Sequence, residues 1–328
     1  MKALITGGAG FIGSHLSHLL LENGDEVFAL DDLSTGSLAN VASLVDSSQY
    51  HLIVDSILHP AIVNELVNKV DVVYHLAAAV GVKTIVEQPV RTLHVNLRGT
   101  ETVLDACCKF DKPVLVASTS EVYGDHRSAT PLSENARRMY GATTQKRWAY
   151  ADSKAMDEFL ALAYHEEFGL ETVIVRLFNT VGPRQTGMYG MVIPRFVERA
   201  LAGTEIEIYG DGEQTRCFCH VQDTIRALHD LMTRTDRTAG EIFNVGARNQ
   251  ISILELAELI KDRTRSDSPI VHVPFEQVYG TGIEDMLHRV PDTEKIRSAI
   301  RWVPTRDLDD ILDDVIASMA DMALGLAA

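Results

Sequence analysis

Short apolar runs and longer amphipathic stretches take turns along this chain. Lys2 to Thr6, Glu26 to Leu30, His51 to Val54, Val70 to His75, Pro113 to Ala117 and Glu171 to Phe178 read as strands. Between them, about Ala61 to Lys69 and Leu93 to Phe110 space their apolar residues three and four apart, which predicts helices. The run from Lys146 to Leu160 has the same helical spacing, and a last helix is expected near Leu308 to Leu324. Strand and helix in alternation predict an α/β fold with a parallel sheet that receives ligands at its carboxyl edge. Beyond Phe178 the elements shorten and loop increases. We therefore expect one domain over residues 1–178, with later segments returning to it, and a smaller C-terminal α/β lobe over 179–328. No internal repeat or low-complexity segment interrupts this plan.

The first strand runs into Gly7-Gly8-Ala9-Gly10-Phe11-Ile12-Gly13 and then an amphipathic helix to about Glu22. That order suits a dinucleotide pyrophosphate. Gly7 permits the tight turn, Gly10 lets backbone approach phosphate, and Gly13 lets the helix pack on the strand. The second strand ends at Asp31-Asp32, about 20 residues beyond the turn, where a carboxylate accepts hydrogen bonds from the adenosine ribose and repels a 2′-phosphate. The sheet is thus expected to be Rossmann-like and doubly wound, with NAD preferred to NADP. Asp55, after the third strand, is placed to meet the adenine. Phe11, Ile12 and Ala77, the last within His75-Leu76-Ala77-Ala78, join the expected cofactor contacts.

Composition narrows the partners. A formal charge of −16 over 328 residues argues against a nucleic-acid backbone, which calls for clustered Lys and Arg. No apolar run approaches the ~18 residues of a membrane span. The opening residues are expected to form a strand rather than a signal peptide, which points to the cytoplasm. Four cysteines, Cys107, Cys108, Cys217 and Cys219, are too few for a secreted disulfide framework. Alternation would put Cys217 and Cys219 on one strand face and His220 on the other, so packing thiols are expected there rather than metal ligands.

The chemistry concentrates in Ser118-Thr119-Ser120-Glu121-Val122-Tyr123-Gly124 and Tyr150-Ala151-Asp152-Ser153-Lys154. Tyr150 and Lys154, four apart on a helix, share one face. A phenol titrating near 10 is a poor base at neutral pH, and an adjacent ammonium is expected to bring it down. Thr119 is the candidate partner for the substrate proton. Arg195, Arg216 and Arg289 are candidates to clamp a diphosphate.

Taken together, the glycine turn, Asp31, His75-Leu76-Ala77-Ala78, Ser118-Thr119-Ser120, Tyr150 with Lys154 and the Asn179 turn resemble the extended short-chain dehydrogenase/reductase superfamily. Within it the chain resembles the nucleotide-sugar epimerases, dehydratases and decarboxylases over its whole length. The resemblance implies tightly held NAD, a UDP-sugar substrate, Tyr150 as base, Lys154 on the nicotinamide ribose and Thr119 on the sugar 4-hydroxyl. It further implies Lys83 and Asn96 near the cofactor, Asn179 and Arg216 on the diphosphate, and Arg289 with Asp292 on phosphate and ribose. Ser120 and Glu121 border the sugar, and Arg184 is a candidate for a C6 carboxylate. Cys217 departs from the Asp usual after that arginine.

Ser120-Glu121 replaces the Asp-Glu pair of the 4,6-dehydratases, so dehydration is disfavoured. Thr119 to Tyr123 and Arg147 to Tyr150 look like UDP-glucuronate decarboxylases, where Glu and Arg assist loss of the C5 carboxylate. Ala79-Val80-Gly81-Val82-Lys83 looks more like the epimerases. The expected function is therefore a UDP-sugar 4-epimerase working through a 4-keto sugar, with UDP-glucuronate decarboxylase as the alternative. A non-catalytic NAD-binding regulator is a third reading, disfavoured by the intact Thr119, Tyr150 and Lys154. The resemblance also implies a homodimer through the helices at about Leu93 to Phe110 and Trp148 to Glu167.

Overall fold

The computed structural model describes residues 1–80, 88–126, 128, 130–145, 147–188, 190–274, 277–278, 286 and 288–323. The large sheet begins with β1 (Lys2–Thr6), α1 (Phe11–Glu22), β2 (Glu26–Asp31), β3 (Tyr50–Val54), α2 (Pro60–Lys69) and β4 (Val72–His75). It continues with α3 (Pro89–Phe110), β5 (Val114–Thr119), α4 (Arg147–Phe168) and β6 (Thr172–Leu177). The expected strands are present with ends moved by a residue or two, and the helix of Tyr150 ends at Phe168, within a residue of the expected Trp148 to Glu167.

Seven strands lie in the order β11-β6-β5-β4-β1-β2-β3, and every neighbouring pair is parallel. Such a sheet must be covered on both faces, which explains why its strands are apolar throughout rather than alternating. Ala3, Leu4 and Ile5 of β1 are fully buried. Ala3 and Ile5 join the core that packs under α1, while Leu4 joins the opposite core under α2 and α3. The chain leaves β1 toward β2 on one side and reaches β4 on the other. That reversal opens a crevice above the carboxyl ends of β1 and β4.

The remaining elements are β7 (Thr180–Val181), α5 (Val192–Leu201), β8 (Ile206–Tyr209), β9 (Thr215–Cys217), β10 (Cys219–His220), α6 (Val221–Met232) and α7 (Thr235–Thr238). After them come β11 (Glu241–Val245), β12 (Gln250–Ser252), α8 (Ile253–Thr264), β13 (Ile270–Val273), α9 (Glu294–Ile300) and α10 (Leu308–Ala323). Two of these return to the large sheet: β11 pairs with β6, and α6 packs on α1 and into the same core. A third core gathers Ile193, Phe196, Ile206, Ile208, Leu256, Ile260 and Leu312 from α5, β8, α8 and α10. Each of these buried aliphatic or aromatic side chains contributes about 1.5–3 kcal/mol, so the lobe holds its own shape. Its small sheets, β8 with β13, β9 with β12 and β7 with β10, face the crevice from the far side.

Candidate active site

Gly7 adopts φ +74°, a backbone region open to glycine at little cost. A Cβ on Gly13 would stand 2.1 Å from the Gly7 carbonyl oxygen. Only a hydrogen fits there, and helix α1 therefore starts tight against β1. No acidic side chain lies in the first turn of α1, so its N-terminal N–H groups face the crevice with their positive end unopposed. Asp31 accepts hydrogen bonds from the N–H groups of Ala9 (2.9 Å) and Leu33 (2.8 Å). With the Gly10 N–H also directed at it, one carboxylate thus holds the glycine turn to β2. Burial raises its pKa, and those N–H groups oppose the rise.

One continuous cleft carries Gly7, Gly10, Phe11, Ile12, Gly13, Asp31, Asp32, Asp55 and Ala77 at one end. Thr119, Ser120, Glu121, Tyr150, Lys154, Asn179 and Arg289 follow, and Arg195, Tyr209, Gln214 and Arg216 lie on the lobe side. The donor set fits NAD: a pyrophosphate cradle that a Cβ would fill, a ribose carboxylate, and the Tyr150 and Lys154 side chains where a nicotinamide ribose ends. Thr119 accepts from the Glu121 N–H at 3.2 Å, capping the turn Ser120–Tyr123, and its hydroxyl contacts Tyr150. Residues from β5 and α4 thereby meet at one point.

Glu158, one turn beyond Lys154, fixes those two elements together. Its carboxylate takes Arg176 Nε at 2.9 Å and Nη2 at 2.7 Å and accepts the Ser118 hydroxyl. Arg289 enters from the lobe. It donates to Asn179 Oδ1 at 3.2 Å and to Ser120 Oγ at 3.4 Å, and stands 3.6 Å from Glu121 Oε1. Arg216 is anchored differently, donating to the Thr215 and Met286 carbonyls, each at 2.8 Å. The Arg195 guanidinium lies 3.9 Å over the Tyr209 ring.

Several expected roles change. Lys154 was expected to lower Tyr150, yet its ammonium is bound to Asp157 Oδ2 at 2.6 Å, both groups being buried. The pair presents the phenol with little net positive charge. Burial first, then Glu121 and Asp157, raise Tyr150 above its ordinary value, opposed by Thr119 and Arg289. Arg184 lies on α1 rather than beside Glu121 and Arg289: it donates to Ser14 at 3.3 Å and packs on His18. Asp292 does not line the cleft; its carboxylate accepts the Glu294 N–H at 3.0 Å and caps α9. Asn96 is buried behind the wall, binding Ala79 N–H at 2.8 Å and Ser153 at 3.1 Å. Lys83 lies outside the described residues. Arg289, expected on phosphate, instead contacts Ser120, Glu121 and Asn179 beside Thr119. Cys217 and Cys219 are buried free thiols, both pushed up to about 12 by burial.

Sequence reasoning missed Met191, Val192, Tyr209 and Phe218, which give the lobe side of the cleft its apolar surface. They come from separate short elements, so no local pattern marks them. Asp157 was also missed, although its spacing of three from Lys154 offered a signal.

A doubly wound parallel sheet bearing a glycine turn, a ribose acid and a Tyr–Lys pair on one helix defines an extended short-chain dehydrogenase/reductase. The model of the family described as GDP-mannose 4,6 dehydratase matches residues 4–315, and the chain belongs to that family. A UDP-N-acetyl-alpha-D-glucosaminuronate decarboxylase of Bacillus cytotoxicus is 42% identical over 324 residues, covering 96% of each chain. UDP-glucuronic acid decarboxylase 6 of Arabidopsis thaliana is 35% identical over 308 residues, which is 93% of this chain and 84% of that one. Among solved structures, the UDP-glucuronic acid 4-epimerase of Bacillus cereus in complex with UDP-glucuronic acid and NAD superimposes with a TM-score of 0.88 at 28% identity. That match covers 98% of this chain and all of the other. Among the described residues no helix is long and apolar enough to cross a membrane.

Proposed function

We propose that this protein is an NAD-dependent UDP-uronate decarboxylase of the cytoplasm, acting on UDP-glucuronate or its 2-acetamido counterpart. The carrying observation is the Glu121 and Arg289 pair, 3.6 Å apart with the arginine buried, beside Thr119 and Tyr150. A neutral hexose gives neither group a task. A C6 carboxylate gives Arg289 a bidentate partner and places Glu121 against it.

The reading assigns roles as follows. Thr119 holds the 4-hydroxyl while Tyr150 accepts its proton. When bound, NAD supplies the acceptor that oxidises C4 and later returns the electrons. A ketone at C4 makes the C6 carboxylate a β-keto acid. The C5–C6 bond then breaks with its electron pair flowing into the C4 carbonyl, and CO₂ leaves. Arg289 orients the carboxylate, and the charge of Glu121 favours its departure as a neutral gas. C5 is protonated afterwards. Asn179, Arg216 and Arg195 bind the diphosphate and nucleoside from the lobe.

The expected preference for an epimerase rested on the Val80 to Lys83 loop, most of which lies outside the described residues. Decarboxylase relatives at 42% and 35% identity support the reverse order. UDP-uronate 4-epimerisation stays as the second reading, because a C6 carboxylate would also occupy Arg289 there. A homodimer through α3 and α4 belongs to the proposal, supported by the exposed apolar side chains of Met156 and Phe159 on α4.

Proton NMR of products from UDP-glucuronate, UDP-N-acetylglucosaminuronate and UDP-glucose, with CO₂ measured in parallel, tests the function. A pentose product with stoichiometric CO₂ from a uronate is expected. A C4-epimer mixture with all carbons retained would replace this reading by the second one.

A further inference from the structure

Lys154 does not stand alone under Tyr150. Its ammonium and the Asp157 carboxylate are 2.6 Å apart, and both residues are almost wholly buried, 2% and 1% exposed. Behind Asp157 runs a string of side chains. The Thr100 hydroxyl of α3 faces the carboxylate, His75 Nε2 lies 3.0 Å from that hydroxyl, and His75 Nδ1 lies 2.8 Å from Thr6 Oγ1. Thr6 Oγ1 accepts the Ala77 N–H at 3.2 Å. Since an ionised carboxylate only accepts, the Thr100 hydroxyl donates to Asp157, its oxygen then accepts the Nε2–H of neutral His75, and the Thr6 hydroxyl donates to Nδ1. Every dipole is turned toward one carboxylate. The string ends on a backbone amide, so it conveys orientation rather than protons to solvent.

We propose that Asp157 is a positioning residue: it holds the Lys154 ammonium in the cleft floor and opposes ionisation of Tyr150, so that the phenol gives up its proton readily only when a ligand draws the ammonium from Asp157. Other charges around Tyr150 do not supply this device. Glu121 from the turn after β5 acts with Asp157, Arg289 from the lobe acts against it, and Glu158 on the same helix is occupied by Arg176. His75 is neutral, held down to about 3 by burial and the nearby lysine. Oδ1 of Asp157 is buried without a hydrogen bond, so turning the carboxylate would break no bond at that oxygen.

The inference rests on Tyr150 being the base of C4 oxidation, whatever follows that step. Its first test needs no substrate. Tyrosinate absorbance is titrated in the cofactor-free chain, and the Tyr150→Phe curve is subtracted to isolate Tyr150. In an Asp157→Asn background the midpoint moves down by about one pH unit, whereas Asp157→Glu, which keeps the charge, leaves it in place. The acid limb of NADH formation from a UDP-uronate moves down by the same amount. A midpoint unchanged in Asp157→Asn, even with activity lost, overturns the proposal and reduces Asp157 to a structural partner. Should Asp157→Asn fail to fold, Thr100→Val, which withdraws the donor facing Asp157, is expected to lower the midpoint by a smaller amount; no movement there is equally fatal. If the midpoint moves but the wild-type chain converts no UDP-sugar, the functional reading falls and only the charge coupling between Asp157 and Tyr150 remains.

Discussion

Replacing Arg176 by Leu removes the cation that neutralises Glu158 beneath the site. Both side chains are 7% exposed, so solvent screening is slight. Glu158 takes two hydrogen bonds from Arg176 and one from Ser118, while Arg176 also donates to the Glu134 carbonyl and lies 4.7 Å over the Tyr123 ring. Arg176→Leu therefore strands a buried carboxylate with a single donor. Breaking such a pair from one side costs about 3–5 kcal/mol, which in a domain of this size lowers Tm by roughly 5–15 °C. Denaturant titration and calorimetry of the cofactor-free chain read this directly. Adding Glu158→Leu to the Arg176→Leu chain removes the stranded charge and recovers at least half of the loss, because an apolar pair of similar volume is often neutral. A single-substitution loss below about 1 kcal/mol would refute the reasoning. So would a double variant less stable than the single one.

Tyr150→Phe is expected to keep NAD bound and lower C4 oxidation by about 10²-fold or more; retained turnover with a normal product ratio would remove Tyr150 as base. Arg289→Ala should reduce CO₂ release far more than NADH formation, seen by running both assays on one sample, and equal losses would return Arg289 to a diphosphate role. Burial holds His15 down to about 4 against an unfolded value near 6.5, so the unfolded chain binds the extra proton below that value and stability falls as pH drops from about 6.5 toward 4. His15 contributes about 1.4 kcal/mol per pH unit to this loss, alongside the similarly lowered His75, so the drop in unfolding free energy between pH 7 and 5 should be smaller by about that amount per unit in His15→Asn. Phe159→Glu together with Met156→Glu should yield a monomer by analytical ultracentrifugation, and a wild-type monomer would sink the dimer.

Local periodicity determined much about this protein. Strand and helix order, the glycine turn with Asp31 after β2, and Tyr150 with Lys154 on one helical face all depend on residues within a few turns of one another, where backbone geometry leaves few choices. A parallel, doubly wound sheet followed as well, whereas its strand order, with β11 at the edge beside β6, did not. Tertiary structure decided what those groups do. Arg289 reaches Ser120 across 169 positions, and no spacing in the sequence could move it from an expected phosphate contact to the side of Ser120 and Glu121. Asp292 and Arg184 bear the right charges but are bound by α9 and α1, because a helix N-terminus or a neighbouring hydroxyl close at hand outcompetes a distant ligand. Lys154 shows the same competition most plainly. Two partners, Tyr150 and Asp157, lie within one turn of it, and burial awards the ammonium to the carboxylate because an isolated charge in the interior costs far more than a paired one.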